Sequence, residues 1–153
     1  MHSPLSVVSA ILRKRKVVKP TIVALLTEGE RAVVLDISSR RDWDVHFATT
    51  FPDARALIDR VKAQIVFMDR DLAGPDWRET MSSFASSSRR TCIILISGVV
   101  DAYLWNEAVR YGGYEVLAKP LRGEDVSRAV RLAWSYWSTA ARSAAAAKPF
   151  ARK

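Results

Sequence analysis

The middle of the chain alternates between short, continuous apolar runs and longer segments in which apolar residues recur at helical spacing. Continuous apolar runs are typical of parallel strands that helices cover on both faces, whereas half-exposed strands alternate apolar and polar positions. The predicted strands are residues 22–26, 45–48, 65–68, 92–96 and 116–118. Each run is far shorter than the roughly 20 apolar residues that a membrane-spanning helix needs.

The segments between these runs predict helices. Apolar positions repeat every three to four residues over 52–61, 77–85 and 101–111, and from Asp125 onward in the longest stretch. Asp101 is suited to capping a helix N-terminus, and Gly112 to ending one. The segment 31–39 has the least helical composition because three of its apolar residues are β-branched.

Strands and helices therefore alternate from residue 21 to residue 137. Short connections and right-handed crossovers turn this order into an α/β fold, a doubly wound five-stranded parallel sheet with helices on both faces. In such sheets ligands bind at the carboxyl ends of the strands. The residues that directly follow each apolar run are therefore the candidates for a functional site.

Charge is distributed unevenly along the 153 residues. Nine of the 24 basic residues lie in 1–20 and 138–153, which contain no acidic residue, while 21–137 holds 15 basic and 16 acidic residues. We predict a basic N-terminal extension over 1–20, one domain over 21–137 and an Ala-rich basic tail over 138–153. Nucleic-acid-binding domains more often place basic residues along one face of the fold. Solvated tails are one interpretation; tails that bind nucleic acid or another acidic partner are the alternative.

Several classes of protein are not supported by the sequence. The single cysteine, Cys92, excludes an internal disulfide framework and a cysteine-based zinc site. No glycine-rich phosphate loop occurs, and Ser97 does not lie in the G-x-S-x-G pattern of a hydrolase nucleophile. The apolar stretch at the N-terminus precedes its basic cluster, the reverse of a secretory signal. We therefore expect a cytoplasmic, non-enzymatic protein with no membrane span.

Three reactive side chains follow predicted strands. Asp69 follows the third run, Ser97 the fourth and Lys119 the fifth, with Pro120 behind it. A carboxylate nucleophile, a hydroxyl and an ammonium at one sheet edge are suited to accepting a phosphoryl group.

These strand ends resemble those of receiver domains, the response-regulator modules of two-component signalling. The similarity rests on IVFMDRDL, ISG and GGYEVLAKPL and covers about 21–137. It implies a flavodoxin-like sheet with strand order 2-1-3-4-5 and a long C-terminal helix. It also implies Asp69 as the phospho-acceptor, with Ser97, Lys119 and Pro120 contacting the phosphoryl group or taking part in switching. The implied partners are a histidine kinase or a downstream signalling protein.

The sequence departs from the receiver pattern where the family binds Mg²⁺. Receivers place two adjacent acidic residues after the first strand, but here the corresponding stretch reads Leu25, Leu26 and Thr27, so the acidic pair is absent in any nearby register. Glu28 is taken as the acid within reach, so the candidate metal ligands are Asp69, Asp71 and Glu28. Since Mg²⁺ needs several oxygen ligands, no resident cofactor is expected, and we predict instead an Asp69–Lys119 ion pair.

Two further differences concern aromatic residues. The switching tyrosine of the family is replaced by Val116, and strand alternation places Tyr114 on the same face as Val116. On the last helix Trp134, Tyr136 and Trp137 are candidates for an interaction surface, and a homodimer through the last strand and helices is an option.

The sequence thus favours a stand-alone, atypical receiver that acts as a signalling and protein-interaction module and is not phosphorylated by the usual Mg²⁺-dependent route. Two alternatives remain open. One is a working receiver phosphorylated on Asp69. The other is a nucleic-acid-associated protein that binds through its basic tails.

Overall fold

The structure, a computed structural model, describes residues 19–86 and 90–151, with side chains described as far as residue 140. The basic cluster at 13–16, and with it most of the predicted N-terminal extension, lies outside the described residues. Lys19 lies inside them, and its ammonium is 3.8 Å from the Asp42 carboxylate.

Five parallel strands form one sheet in the order β2-β1-β3-β4-β5, so the predicted fold class and strand order are confirmed. The five predicted apolar runs are the five strands, with ends that differ by at most three residues. The strands are β1 Thr21–Leu25, β2 Asp44–Ala48, β3 Ile65–Asp69, β4 Cys92–Ser97 and β5 Gly113–Ala118.

Helices connect the strands and extend beyond the last one. They are α1 Glu28–Arg41, α2 Phe51–Val61, α3 Trp77–Ala85, α4 Ala102–Arg110 and α5 Gly123–Ala151. A helical turn, Arg70–Ala73, and a 3₁₀ turn, Gly74–Asp76, lie between β3 and α3. The long C-terminal helix is confirmed, and it continues through most of the segment predicted as an Ala-rich tail.

α1 is a full helix despite its β-branched residues, because its ends are well capped. The Thr27 hydroxyl accepts a hydrogen bond from the Glu30 backbone N–H, and the Glu30 carboxylate accepts one from the Thr27 N–H. This reciprocal pair is a capping box, which satisfies two backbone donors at the N-terminus. At the other end Asp42 adopts a left-handed conformation that stops the helix.

Each face of the sheet has its own apolar core. Ile22, Ala24 and their neighbours pack under α1 and α5, while Val23 and Leu25 pack under α2, α3 and α4. Successive residues of β1 thus enter opposite cores, as the alternation of a strand requires. Burial on both faces explains why the sequence reads as continuous apolar runs.

A bulge in β5 overturns the prediction that Tyr114 and Val116 share a face. Gly113 pairs with Ile93 and Glu115 with Ile94, so Tyr114 is an extra residue in the strand. An extra residue breaks the alternation of side chains. Tyr114 therefore packs on the α1–α5 side, whereas Val116 belongs to the opposite core.

Candidate functional site

Asp69, Ser97 and Lys119 lie at one edge of the sheet, where parallel strands end together. Asp69 is the last residue of β3, Ser97 is the last residue of β4, and Lys119 follows β5 directly. The Lys119 backbone N–H donates a hydrogen bond of 3.0 Å to the Ser97 carbonyl. The Asp69 and Ser97 side chains are buried, with 0% and 2% exposure.

The predicted ion pair between Asp69 and Lys119 is present. Asp69 Oδ2 lies 2.8 Å from Lys119 Nζ. Asp69 Oδ1 accepts hydrogen bonds from the backbone N–H groups of Asp71, at 2.8 Å, and Leu72, at 3.4 Å. Both carboxylate oxygens therefore have a positively polarised neighbour, which compensates for removing the charge from water.

Two further carboxylates surround the same ammonium. Lys119 Nζ is 3.0 Å from Asp71 Oδ2 and 3.6 Å from Glu30 Oε2. Glu30 and Asp69 are buried, whereas the Asp71 side chain is 78% exposed. One lysine thus serves as the counter-ion of three acids, two of them inside the protein.

The pKa values of the three buried or half-buried groups shift in different directions. Burial raises the pKa of Glu30, and its hydrogen bond with Asp69 raises it further. Burial alone would raise the pKa of Asp69, but hydrogen bonds with Glu30 and Lys119 outweigh burial and lower it. Burial would lower the pKa of Lys119, but its bonds to Asp69 and Asp71 outweigh that effect and raise it. The geometry therefore favours an ionised Asp69–Lys119 pair, with Glu30 holding its proton more tightly than an ordinary glutamate.

The acid that reaches the site from α1 is Glu30 and not Glu28, which was predicted to lie within reach. Glu28 is exposed at the first position of α1, and no contact joins it to Asp69 or Lys119. Glu30 reaches the site because the capping box turns its side chain back towards the helix N-terminus. The T-x-x-E spacing of Thr27 and Glu30 was the sequence signal for this geometry.

Ser97 has a full set of hydrogen bonds. Its hydroxyl donates to the Val99 carbonyl at 2.8 Å and accepts from the Val99 N–H at 3.2 Å. It also accepts from Arg70 Nη1 at 3.2 Å. Arg70, which the sequence analysis did not single out, is thus the side chain that contacts Ser97. Pro120, joined to Lys119 by a cis peptide bond, lines an adjoining cleft of about 480 Å³ with Glu30 and Leu121.

Solved structures with the same fold include response-regulator proteins. A response regulator from Thermotoga maritima matches with a TM-score of 0.71 and 20% identity over 76% of this chain and 98% of that chain. The chemotaxis protein CheY4 of Vibrio cholerae matches with a TM-score of 0.68 and 15% identity, over 75% of this chain and 98% of that chain. A CheY-like receiver domain protein from Methanospirillum hungatei matches with a TM-score of 0.66 and 14% identity, over 80% of this chain and 98% of that chain.

The fold is that of a receiver domain. Identities this low establish the fold and not the activity. No family model matches the sequence, and no curated protein matches it.

Receiver folds imply Mg²⁺ beside the acceptor aspartate, but the residues present here do not fit that ion. Leu26, in the stretch where receivers place the acidic pair, is 1% exposed and belongs to the α1–α5 core, and Thr27 caps α1. The Lys119 ammonium lies 2.8 Å from Asp69 Oδ2, and Asp69 Oδ1 accepts two backbone N–H hydrogen bonds. Although Glu30, Asp69 and Asp71 surround Lys119, no three His, Cys, Asp or Glu side chains in 19–86 and 90–140 are arranged to hold a metal ion.

The aromatic residues of α5 are divided between core and surface. Trp134 and Trp137 stack on each other, with centroids 5.6 Å apart, and pack against the α1–α5 core. Tyr136 is 57% exposed and lies 5.3 Å from the Tyr114 ring. Of the three residues proposed as an interaction surface, Tyr136 is therefore the most accessible. No helix in the described ranges is both long and apolar enough to span a bilayer.

Proposed function

We propose that this chain is an atypical receiver, a signalling and protein-interaction module whose Asp69 is not phosphorylated by the usual Mg²⁺-dependent route. The observation that carries the proposal is the environment of Lys119. Its ammonium lies within 2.8–3.6 Å of three carboxylates, while an apolar core residue and a helix cap stand after β1.

The chemistry of phosphoryl transfer explains why these residues matter. Charge on the transferred group is spread over several oxygens, and catalysis depends on cations placed beside them. Without carboxylates after β1 to hold a divalent ion, Lys119 is the nearest cation, and Glu30 and Asp71 already share it. Their negative charge opposes the approach of a phosphoryl donor.

Acetyl phosphate with Mg²⁺ tests this proposal. The full chain is incubated with both, and its intact mass is compared with that of Asp69→Asn treated in parallel. We expect no mass gain in either protein. A gain of one phosphoryl group that requires Mg²⁺ and is lost in Asp69→Asn would refute the proposal.

That contrary result would instead support a working phospho-acceptor. The contact of 2.8 Å between Asp69 and Lys119 favours this second candidate, since the pair is close enough to act on one phosphoryl group. A phosphorylated Asp69 would have to release Lys119 from its present contact and leave Glu30 and Asp71 with less neutralisation.

The partner is proposed to be a histidine kinase or a downstream signalling protein, and a homodimer through β5 and the flanking helices stays a prediction. Binding of nucleic acid by the basic tails also stays a prediction, because the cluster at 13–16 lies outside the described residues. A steep salt dependence of DNA binding, lost when 1–19 and 138–153 are removed, would support it.

A further inference from the structure

A continuous set of side-chain contacts leads from the Asp69 edge of the sheet to the surface of α4. It begins at Arg70, whose Nη1 donates to the Ser97 hydroxyl at 3.2 Å. The guanidinium of Arg70 also lies over the Trp77 ring, 5.5 Å from its centroid. One side chain thus touches both the end of β4 and the first residue of α3.

The contacts continue from Trp77 to Arg78 and α4. The guanidinium of Arg78 lies 4.5 Å from the Trp77 centroid, and its Nε donates to Glu107 Oε1 on α4 at 2.8 Å. The Tyr103 hydroxyl accepts from Arg78 Nη2 and donates to Glu107 Oε1, each at 3.4 Å. Tyr103 is 65% exposed, so the contacts end at the protein surface.

The Ser97 hydroxyl has no free hydrogen-bonding site, so a new hydrogen bond to it must change the contacts described above. A hydroxyl has one donor and two acceptor lone pairs, and Ser97 uses all three, on Arg70 and Val99. Any group that hydrogen-bonds to Ser97 must therefore displace Arg70 or break the turn at Val99. Displacing Arg70 therefore disrupts its cation–π contact with Trp77.

Trp77 is placed so that such a change is passed on. It is 3% exposed and packed in the core under α2, α3 and α4. Close-packed interiors transmit strain, so a changed contact on the ring is passed to the other groups that pack against it. Arg78 is the second arginine that contacts the Trp77 ring, and its hydrogen bond to Glu107 joins it to α4.

We propose that Arg70 and Trp77 couple the hydrogen-bonding state of Ser97 to the exposed face of α4 at Tyr103 and Glu107. This coupling does not require Asp69 to be phosphorylated, and it operates with any ligand or substitution that changes the hydrogen bonds of Ser97. It therefore stands or falls separately from the proposed function.

Nitrogen-15 NMR spectra of the full chain test the coupling. Ser97→Ala removes the acceptor of Arg70, and we expect it to shift the indole N–H of Trp77 and the backbone amides of Tyr103 and Glu107. In an Arg70→Gln background the same substitution should leave those three resonances unmoved. Arg40→Gln, which removes an exposed arginine on α1, is the matched control and should preserve the response.

A second variant separates the two halves of the pathway and covers the case in which Arg70→Gln does not fold. With Arg78→Gln, Ser97→Ala should still shift the Trp77 indole but no longer shift Tyr103. The competing route is the short loop from Ser97 to α4. Shifts at Tyr103 that persist in Arg70→Gln or Arg78→Gln would assign the response to that loop and overturn the proposal, as would the absence of any shift in Ser97→Ala.

Discussion

Replacing Lys119 by methionine removes the one cation that, among the described residues, lies against Glu30, Asp69 and Asp71, and it keeps a similar side-chain length. Asp69 is fully buried and would lose the ammonium at 2.8 Å, keeping only two backbone N–H groups as donors. Removing one partner of a buried ion pair costs about 3–5 kcal/mol. Because the Lys119 side chain is 25% exposed, we take the lower end of that range, about 3 kcal/mol.

The loss is measurable by urea unfolding followed by circular dichroism. With a denaturant slope of about 1.5 kcal/mol/M, a loss of about 3 kcal/mol lowers the midpoint by about 2 M. Arg122→Met removes an exposed positive charge from the same β5–α5 connection and serves as the control. It should change the free energy of unfolding by less than about 0.5 kcal/mol.

The effect of Lys119→Met should also depend on pH. In the wild type the pKa of Asp69 is lowered from its ordinary value of 3.8. The pairing of Asp69 with Lys119 therefore stabilises the fold above pH 3.8, and this stabilisation is lost as the pH falls through the lowered pKa. The difference between wild type and variant should therefore shrink as the pH is lowered from neutrality to below 3.8. A difference that stays constant, or a variant as stable as Arg122→Met, would refute the reasoning.

Three further predictions concern separate features. The raised pKa of Glu30 means that the folded state holds this proton more tightly, so the contribution of Glu30 to stability should fall as the pH rises above 4.5. In urea titrations the free energy of unfolding of Glu30→Gln should therefore rise relative to that of the wild type over this range, and a constant difference would contradict this. Gly113→Ala places a Cβ 2.9 Å from the Ala108 carbonyl oxygen and should cost about 1–3 kcal/mol in thermal unfolding, whereas Gly98→Ala, with nothing within 4 Å, should be near neutral. Burial raises the pKa of Cys92 to about 11, so a disulfide reagent should label the thiol at neutral pH only after unfolding; labelling of the folded chain at the rate of a free thiol would contradict this.

The fold was predictable because burial leaves a direct mark on composition. Strands covered on both faces have no solvent side, so β1 and β4 read as unbroken apolar runs. α1 was harder to predict, since β-branched residues obscured it and its stability depends on the caps at Thr27 and Asp42. The predicted face of Tyr114 was wrong because a bulge in β5, which the sequence pattern does not reveal, shifts the register of the strand.

The candidate site was predictable at the strand ends and not between them. Asp69 and Lys119 follow apolar runs, and the topology alone brings them to one edge. Glu30 reaches that edge only through the direction that its capping hydrogen bond imposes. Arg70 contacts Ser97 through a long side chain whose direction depends on stacking against Trp77, and a charged residue after a strand end is otherwise typical of a solvated surface.

Lys119 and its three carboxylates should leave no place for a divalent ion at this edge of the sheet. Titration of the full chain with Mg²⁺, followed by tryptophan fluorescence, checks this, because Arg70, which follows Asp69 in the chain, lies over the Trp77 ring. We expect no saturable change through the millimolar range. A saturable, submillimolar response that is lost in Asp69→Asn would show that the site binds Mg²⁺ and would overturn the proposal.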